Sequence, residues 1–394
     1  MMIARRTQLR FVLLALFSVS VSATGAEFEW SPSLGLGYDN NPYLTPDDPY
    51  IDYAALGYPL VTPNRQSGMY ADLGFDGRYS RALNEAAKLL VEYKLSGDYY
   101  FDSALSNADE YHHKFSLGRE QILRTQGKRQ DSVYVGGFVR NVRDVYFDRD
   151  SGIGKVTSSG TDVSQRYNYN SLGLEANYRN RTSDLQYVLK GLYEHRNYED
   201  TVVIRQYDHD YVKLSADIGY QISEPTKLLA GYTYQLRDYS DRLSRDSLGR
   251  LLPSNPTLKY SYHTLDGSVR QRLSDAWVTY LDATYQTRTD AYVGYNTYDE
   301  TEFKVRALYR PSDAWNMKLV FATWRRHYPN AFAFDNPTQV AKKYDGTDAT
   351  VKIEYHQTQN RTLWGDIDYK KQNSTDDRYA YDRTQVVAGV QFDF

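Results

Sequence analysis

The chain contains no cysteine. That absence excludes disulfides, thiolate metal sites and a lipid-anchored amino terminus together. Also missing, past residue 26, is any apolar run near the about 20 residues that a membrane-crossing helix needs. Charge of one sign is missing too: 47 Lys and Arg stand against 50 Asp and Glu, a net charge of -3. No basic surplus marks nucleic acid as a partner. The mean hydropathy of -0.68 reads as water-soluble. A membrane barrel reads the same way, because only alternate residues of its strands meet lipid.

What the chain does have is tyrosine, 39 copies in 394 residues. Tyrosine forms strands well, and its ring with a polar tip suits the membrane–water interface. At the amino terminus, Arg5, Arg6 and Arg10 stand without an acid, 11–21 is almost wholly apolar, and Ser22, Ala23, Thr24, Gly25 and Ala26 follow. This is the pattern of a secretory signal peptide. It predicts a signal peptide over 1–26, with cleavage after Ala23 or Ala26 both fitting and Ala26 preferred, and one mature unit over 27–394.

Strict alternation then recurs down the chain, as in Leu34, Leu36 and Tyr38, or Met69, Ala71, Leu73 and Phe75. Its clearest instance is Val212, Leu214, Ala216, Ile218 and Tyr220, followed by Leu228, Ala230, Tyr232 and Tyr234. The last such segment places Val386, Ala388, Val390, Phe392 and Phe394 on one face. Period 2 means strands with one apolar face. Counting them predicts an all-β fold, an antiparallel up-and-down transmembrane barrel of about 16 strands closed by the last on the first. The stretch 132–147 alternates on both parities, so its faces stay unassigned.

Short turns are expected near 83–85, 180–183, 223–226, 273–276, 310–314 and 358–361, with a longer one over 124–130. Their Asn, Ser, Asp and Pro content is turn chemistry. Two nearly repeat, Arg-Leu-Ser-Asp-Ala-Trp at 272–277 and Arg-Pro-Ser-Asp-Ala-Trp at 310–315, so the repeating unit is the hairpin. Longer polar loops are expected over 40–66, 149–161, 241–257 and 329–343. Short turns at one end and long loops at the other is the asymmetry of an outer-membrane barrel.

The second face of these strands is charged. Candidate pore-lining residues are Lys190, Arg196, Lys213, Asp217, Asp266, Arg270, Arg272, Glu302, Lys304 and Arg306. A barrel of about 16 strands is too wide for side chains to fill, so such a face would line water. The signs are mixed, and the plain alternative for each residue is cross-strand pairing. Catalysis has little to stand on. Asp208-His209-Asp210 is expected to be a solvated turn of an outer loop, and no nucleophile motif accompanies any of the seven histidines. Asp47 and Asp48 lack the spacing of a calcium loop. No enzyme, cofactor or metal site is expected.

The start Ser33-Leu-Gly-Leu-Gly-Tyr-Asp-Asn-Asn-Pro-Tyr43, the hairpin 221–240 and Leu-Ser-Asp-Ala-Trp at 273–277 resemble a family of outer-membrane β-barrel porins found with exopolysaccharide biosynthesis and export genes. The resemblance runs from about Phe28 to Phe394 and rests on hairpins and turns, with no catalytic residues to transfer. It implies passage of an extracellular polysaccharide across the bacterial outer membrane, alongside periplasmic export components. Gly389, Phe392 and Phe394 resemble the signal read by the outer-membrane assembly machinery, although Val387 stands where that signal has a polar residue. The wet barrel alone implies the alternative of a general diffusion porin or solute uptake channel. A weaker alternative is a structural or adhesive barrel working through its loops. The expected surroundings are outer-membrane lipids, with no nucleic acid.

Overall fold

The computed structural model describes residues 26–127, 129–199 and 207–394. The expected signal peptide lies outside these apart from Ala26. The strands are β1 (Ala26–Asp39), β2 (Tyr50–Ile51), β3 (Leu60–Val61), β4 (Gly68–Asn84), β5 (Ala87–Tyr100), β6 (Glu110–Gln126), β7 (Arg129–Arg143), β8 (Tyr169–Arg181) and β9 (Leu185–Tyr198). They continue with β10 (His209–Gln221), β11 (Thr226–Leu243), β12 (Thr257–Arg272), β13 (Trp277–Asp290), β14 (Tyr298–Ser312), β15 (Trp315–Phe332), β16 (Ala341–Thr358), β17 (Arg361–Ser374) and β18 (Tyr381–Phe392). β1 and β4 to β18 close into one barrel of 16 strands. Each is antiparallel to both neighbours, and β1 lies between β18 and β4. β2 and β3 form a small separate hairpin in the first long loop. No helix among the described residues is long and apolar enough to cross a membrane.

Alternation fixes which side each residue takes. In β1, Leu34, Leu36 and Tyr38 are exposed while Gly35, Gly37 and Asp39 between them are buried. In β10, Leu214, Ile218 and Tyr220 point outward, and Lys213 and Asp217 share the inner face. β7 settles the stretch that sequence left open. Val135 and Val139 are 57% and 49% exposed, whereas Phe138 and Val142 are buried inside. Phe138 fits there because Gly173 faces it across the strand pair, where a Cβ would come within 2.2 Å of the ring. Lys114 and Arg140 lie over that ring at 4.5 and 5.4 Å.

One end of the barrel has tight turns. β6 and β7 stay paired up to Gln126 and Arg129, so the longer turn expected at 124–130 is a tight one, with Gly127 at φ 57°. At the other end lie the long connections, 40–67 and 144–168 among them. Here the strands outrun the alternating segments. β12 begins at Thr257 and β16 at Ala341, because the outer face turns polar (Lys259, Ser261, His263) while the ladder continues. The loop expected over 329–343 therefore shrinks to 333–340.

Aromatic rings mark the outer surface near both ends. At the turn end Trp277 stacks on Tyr309 at 4.3 Å, and Trp315 lies tilted against Tyr355 at 4.7 Å in the equivalent cross-strand position of the next hairpin. Toward the loop end Tyr38, Tyr193, Tyr232 and Tyr285 are exposed. Between these girdles the outer face is apolar, mostly aliphatic with Phe303 and Phe321 among the exposed residues, as a lipid-facing band is.

The seam between β1 and β18 is short. Residue pairing covers Ser33–Asp39 only, against the whole of β1 on the β4 side. It is fastened at both ends. Near the turns, Trp30 and Phe394 exchange backbone hydrogen bonds of 3.1 and 3.0 Å and stack their rings at 4.2 Å. Near the loops, the fully buried Asp39 accepts hydrogen bonds from Arg383 Nε at 2.9 Å, Tyr100 Oη at 2.8 Å and the Asn41 amide at 2.8 Å.

Candidate functional site in the barrel interior

The structure puts all ten candidate residues on the inner face but does not gather them. Toward the turn end and the middle of the wall, most are tied to neighbours. Arg306 makes a two-pronged pair with Asp282 at 2.6 and 2.8 Å and lies over Tyr280 at 4.3 Å. Lys304 meets Glu302 at 2.6 Å, Lys190 meets Asp217 at 2.8 Å, and Asp266 accepts from Thr284 at 2.8 Å. Among the described residues, Lys213, Arg270 and Arg272 join no ion pair. Arg270 faces Lys227 and Tyr280 across the ladder.

Arg196 belongs to a different set, which sequence reading missed. Arg140, Arg196, Arg237, Arg288 and Arg326 each stand eleven residues past the first residue of β7, β9, β11, β13 and β15, which begin at Arg129, Leu185, Thr226, Trp277 and Trp315. Equal offset means similar height above the turns. At about 3.3 Å per residue and a strand tilt near 40°, eleven residues rise roughly 28 Å, past the about 25 Å apolar band. The arginines thus form an arc on the inner wall at the loop end. In β5 the same offset lands on Asp98 and in β17 on Gln372, so the arc stops there.

Tyrosines of the even-numbered strands fill the gaps. Arg196 lies 4.9 Å from the ring of Tyr211, and Arg237 lies 5.9 Å from Tyr211 and 5.4 Å from Tyr262. Arg288 lies 4.5 Å from Tyr260 and 4.4 Å from Tyr298, and Arg326 is 4.7 Å from Tyr298. Tyr260, Tyr262 and Tyr298 are buried beneath guanidinium groups that stay partly exposed. At its flanks the arc has acids: the buried Glu194 pairs with Arg140 and Arg196, and Glu300 with Arg326. Arg237 and Arg288 have none; Arg288 donates to the Asn296 carbonyl at 2.8 and 2.6 Å. Across the lumen, on β4 to β6, Asp72 faces Asp98 and Asp98 faces Glu110. The loop-end wall is cationic on one side and acidic on the other.

The first loop, 40–67, crosses this mouth. Tyr43, with no exposed surface, donates to the Ala104 carbonyl at 2.9 Å, and Thr45 to that of Arg149 at 2.6 Å. Beside the β1–β18 seam Asn41 donates to the Asp382 carbonyl at 2.8 Å, and farther round the Tyr53 carbonyl accepts from Asn336 at 2.9 Å. Arg149 follows β7 and Asn336 follows β15, two strands about half the circumference apart. Burial pushes the Tyr43 hydroxyl up to about 12, with Asp109 and Asp102 adding to it. Burial, then the hydrogen bond to Asp150, pushes the Tyr50 hydroxyl far above its ordinary value, so both tyrosines remain donors at neutral pH. Among the described residues four non-glycine positions have left-handed φ, namely Leu44, Tyr58, Phe334 and Asp335, all in this loop or the 333–340 segment it grips.

Asp208-His209-Asp210 is not a solvated turn. His209 is 2% exposed, with Nδ1 at 2.7 Å from the Tyr207 carbonyl and its ring 4.8 Å from Tyr239. Asp210 points outward, accepting from Tyr193 at 2.9 Å and facing His195 Nδ1 at 2.9 Å. Asp208 accepts from the Tyr198 amide at 2.7 Å. The three side chains diverge and assemble no acid–base pair with a shared opening.

No protein-family model matches the chain. No curated protein matches it either. Among solved structures it is similar to outer-membrane expressed OmpT of Vibrio cholerae, at 9% identity and a TM-score of 0.46 over 95% of this chain and 99% of that one. It is similar to OccAB3 of Acinetobacter baumannii, at 9% identity and a TM-score of 0.48 over 93% and 99%. It is also similar to a bacterial polysaccharide outer membrane secretin, at 10% identity and a TM-score of 0.47 over 92% and 97%. Superpositions this loose reach no individual side chain.

Proposed function

We propose that the chain is a channel of the bacterial outer membrane and that it passes an extracellular polysaccharide outward. One observation carries the channel: a closed wall of 16 strands with apolar residues outside, between aromatic girdles, and charged residues inside. A wall of that circumference leaves an aqueous interior. The loop end then faces the medium and the turn end, where β1 starts and β18 finishes, faces the periplasm. What supports a polymer as cargo is the resemblance of the opening strand and of the 221–240 hairpin, together with an inner wall of hydroxyl, guanidinium and aromatic groups that suits sugars. Assembly through the terminal strand and delivery by periplasmic export components belong to the same reading.

The test has two parts. Purified protein in planar bilayers should give discrete conductance steps; a folded barrel that gives none removes the channel. Cells lacking the gene should retain polymer in the periplasm and lose it from the surface, with restoration by the intact gene. Normal surface polymer in those cells, with conductance present, would favour the general porin instead.

A further inference from the structure

We propose that the middle of the arginine arc, Arg237 and Arg288, together with Arg242 five residues beyond Arg237 on β11 and the tyrosines beneath them, is a binding site for carboxylated saccharide. This rests on the channel reading and adds the chemistry of the cargo.

Several cations lower in the barrel are cancelled by a carboxylate within 3 Å, as at Arg306, Lys304 and Lys190. The arc is built differently. Arg237, Arg242 and Arg288 are held by ring faces, Arg242 at 4.3 Å from Tyr207 and 5.5 Å from Tyr239, with no carboxylate at ion-pair distance among the described residues. A ring face fixes a guanidinium without neutralising it. A stacked guanidinium holds its N–H groups in a plane where they can meet a planar carboxylate; at Arg288 Nε and one Nη are given to the Asn296 carbonyl, which leaves the other Nη for a ligand. Arg237 Nε is buried with no hydrogen-bond partner.

Beside the arc is a cavity of about 210 Å³, lined by Tyr146, Arg166, Tyr207, Arg242, Tyr260 and Asn296. It holds the volume of about seven waters, room for one sugar unit rather than a coil. Tyr260 is shared between this cavity and Arg288, so the cavity abuts the arc. Several guanidinium groups, Arg237 and Arg288 at one height and Arg242 above Arg237, fit a repeated anion better than a single one. The hydroxyls of Tyr207 and Tyr260 and the amide of Asn296 suit the sugar hydroxyls between carboxylates.

The experiment is block of single-channel current by tetragalacturonate, with maltotetraose as the uncharged match and sodium phosphate as the simple anion. Tetragalacturonate should block at a concentration at least about tenfold lower than either control. Arg242→Gln with Arg288→Gln should remove that preference, and Arg306→Gln, lower on the wall, should keep it. Equal block by maltotetraose, equal block by phosphate, or a preference surviving the double substitution would each overturn the proposal. Folding of each variant is checked by its heat-dependent gel mobility. If the Gln pair does not fold, Arg288→Lys keeps the charge and loses the fork, and should weaken block by tetragalacturonate alone. If folded protein does not conduct, the channel reading fails while the site is still read by calorimetry with tetragalacturonate in detergent: binding lost in the double variant sustains it, and no binding refutes it.

Discussion

Closure of the barrel at β1 and β18 depends on Asp39. This carboxylate has no exposed surface and accepts from Arg383, Tyr100 and the Asn41 amide. Replacing it with Ala leaves the Arg383 guanidinium buried without its counter-charge beside the shortest ladder of the wall. Breaking one side of a buried pair costs about 3–5 kcal/mol. Arg383→Ala strands the carboxylate instead and should cost nearly as much, softened by the Tyr100 and Asn41 donors that remain. In the double variant neither charge is left alone, so its cost should fall below the sum of the singles by about 1–3 kcal/mol. Urea titration of protein in phospholipid vesicles, followed by tryptophan fluorescence, measures all three; Trp364 lies one strand from the seam. Singles costing under about 1 kcal/mol, or a double variant additive within about 0.5 kcal/mol, would show that the seam is held by its ladder alone.

Three further outcomes are expected. Ala216→Arg, on the lipid side of β10, should destabilise by about 2–4 kcal/mol in the same titration, whereas Asp217→Asn, which gives up a half-exposed pair with Lys190, should cost under about 1 kcal/mol; the reverse order would put the strand one residue out of register. Arg270→Gln with Arg272→Gln should lower the anion-to-cation permeability ratio by a factor of about two, since no carboxylate cancels either cation; an unchanged reversal potential would place them off the conduction path. The buried Asp376 holds the Phe334 amide at 2.8 Å, and although burial raises its carboxyl, Arg378 and Lys342 outweigh that and hold it below the usual range. A depressed carboxyl contributes stability above its unfolded value of about 3.9, and that contribution is lost as pH falls through the folded value. Hydrogen exchange at Phe334 should therefore stay slow at pH 5 and quicken only well below pH 4, with no such step in Asp376→Asn.

The strands and their faces were legible because period 2 needs no knowledge of neighbours. Leu34 and Leu36, or Leu214 and Ile218, announce lipid on their own. β7 was not legible, since Phe138 faces inward only because Gly173, on the next strand, leaves room for it. The mouth was less legible still. Its bonds join residues as remote as Tyr53 and Asn336, and polar loop sequence reads as solvated whether or not such a bond forms. The arginine arc lay between these cases. Each arginine alone reads as one more charge, and the regularity appears only when counted from a strand start. Arg288 and Arg326, both eleven residues past the tryptophans of the repeated Ser-Asp-Ala-Trp turns, were the place to see it.

That constant offset couples two properties of the pore. If the wall grew by duplicating hairpins, every copy widened the opening and added one guanidinium at the rim, so bore and rim charge rose in step. Selection could separate them only by rewriting the twelfth residue of a copy, as Asp98 in β5 and Gln372 in β17 have it. A relative that lost the β12–β13 hairpin would be narrower and, without Arg288, less attractive to anions in the same event.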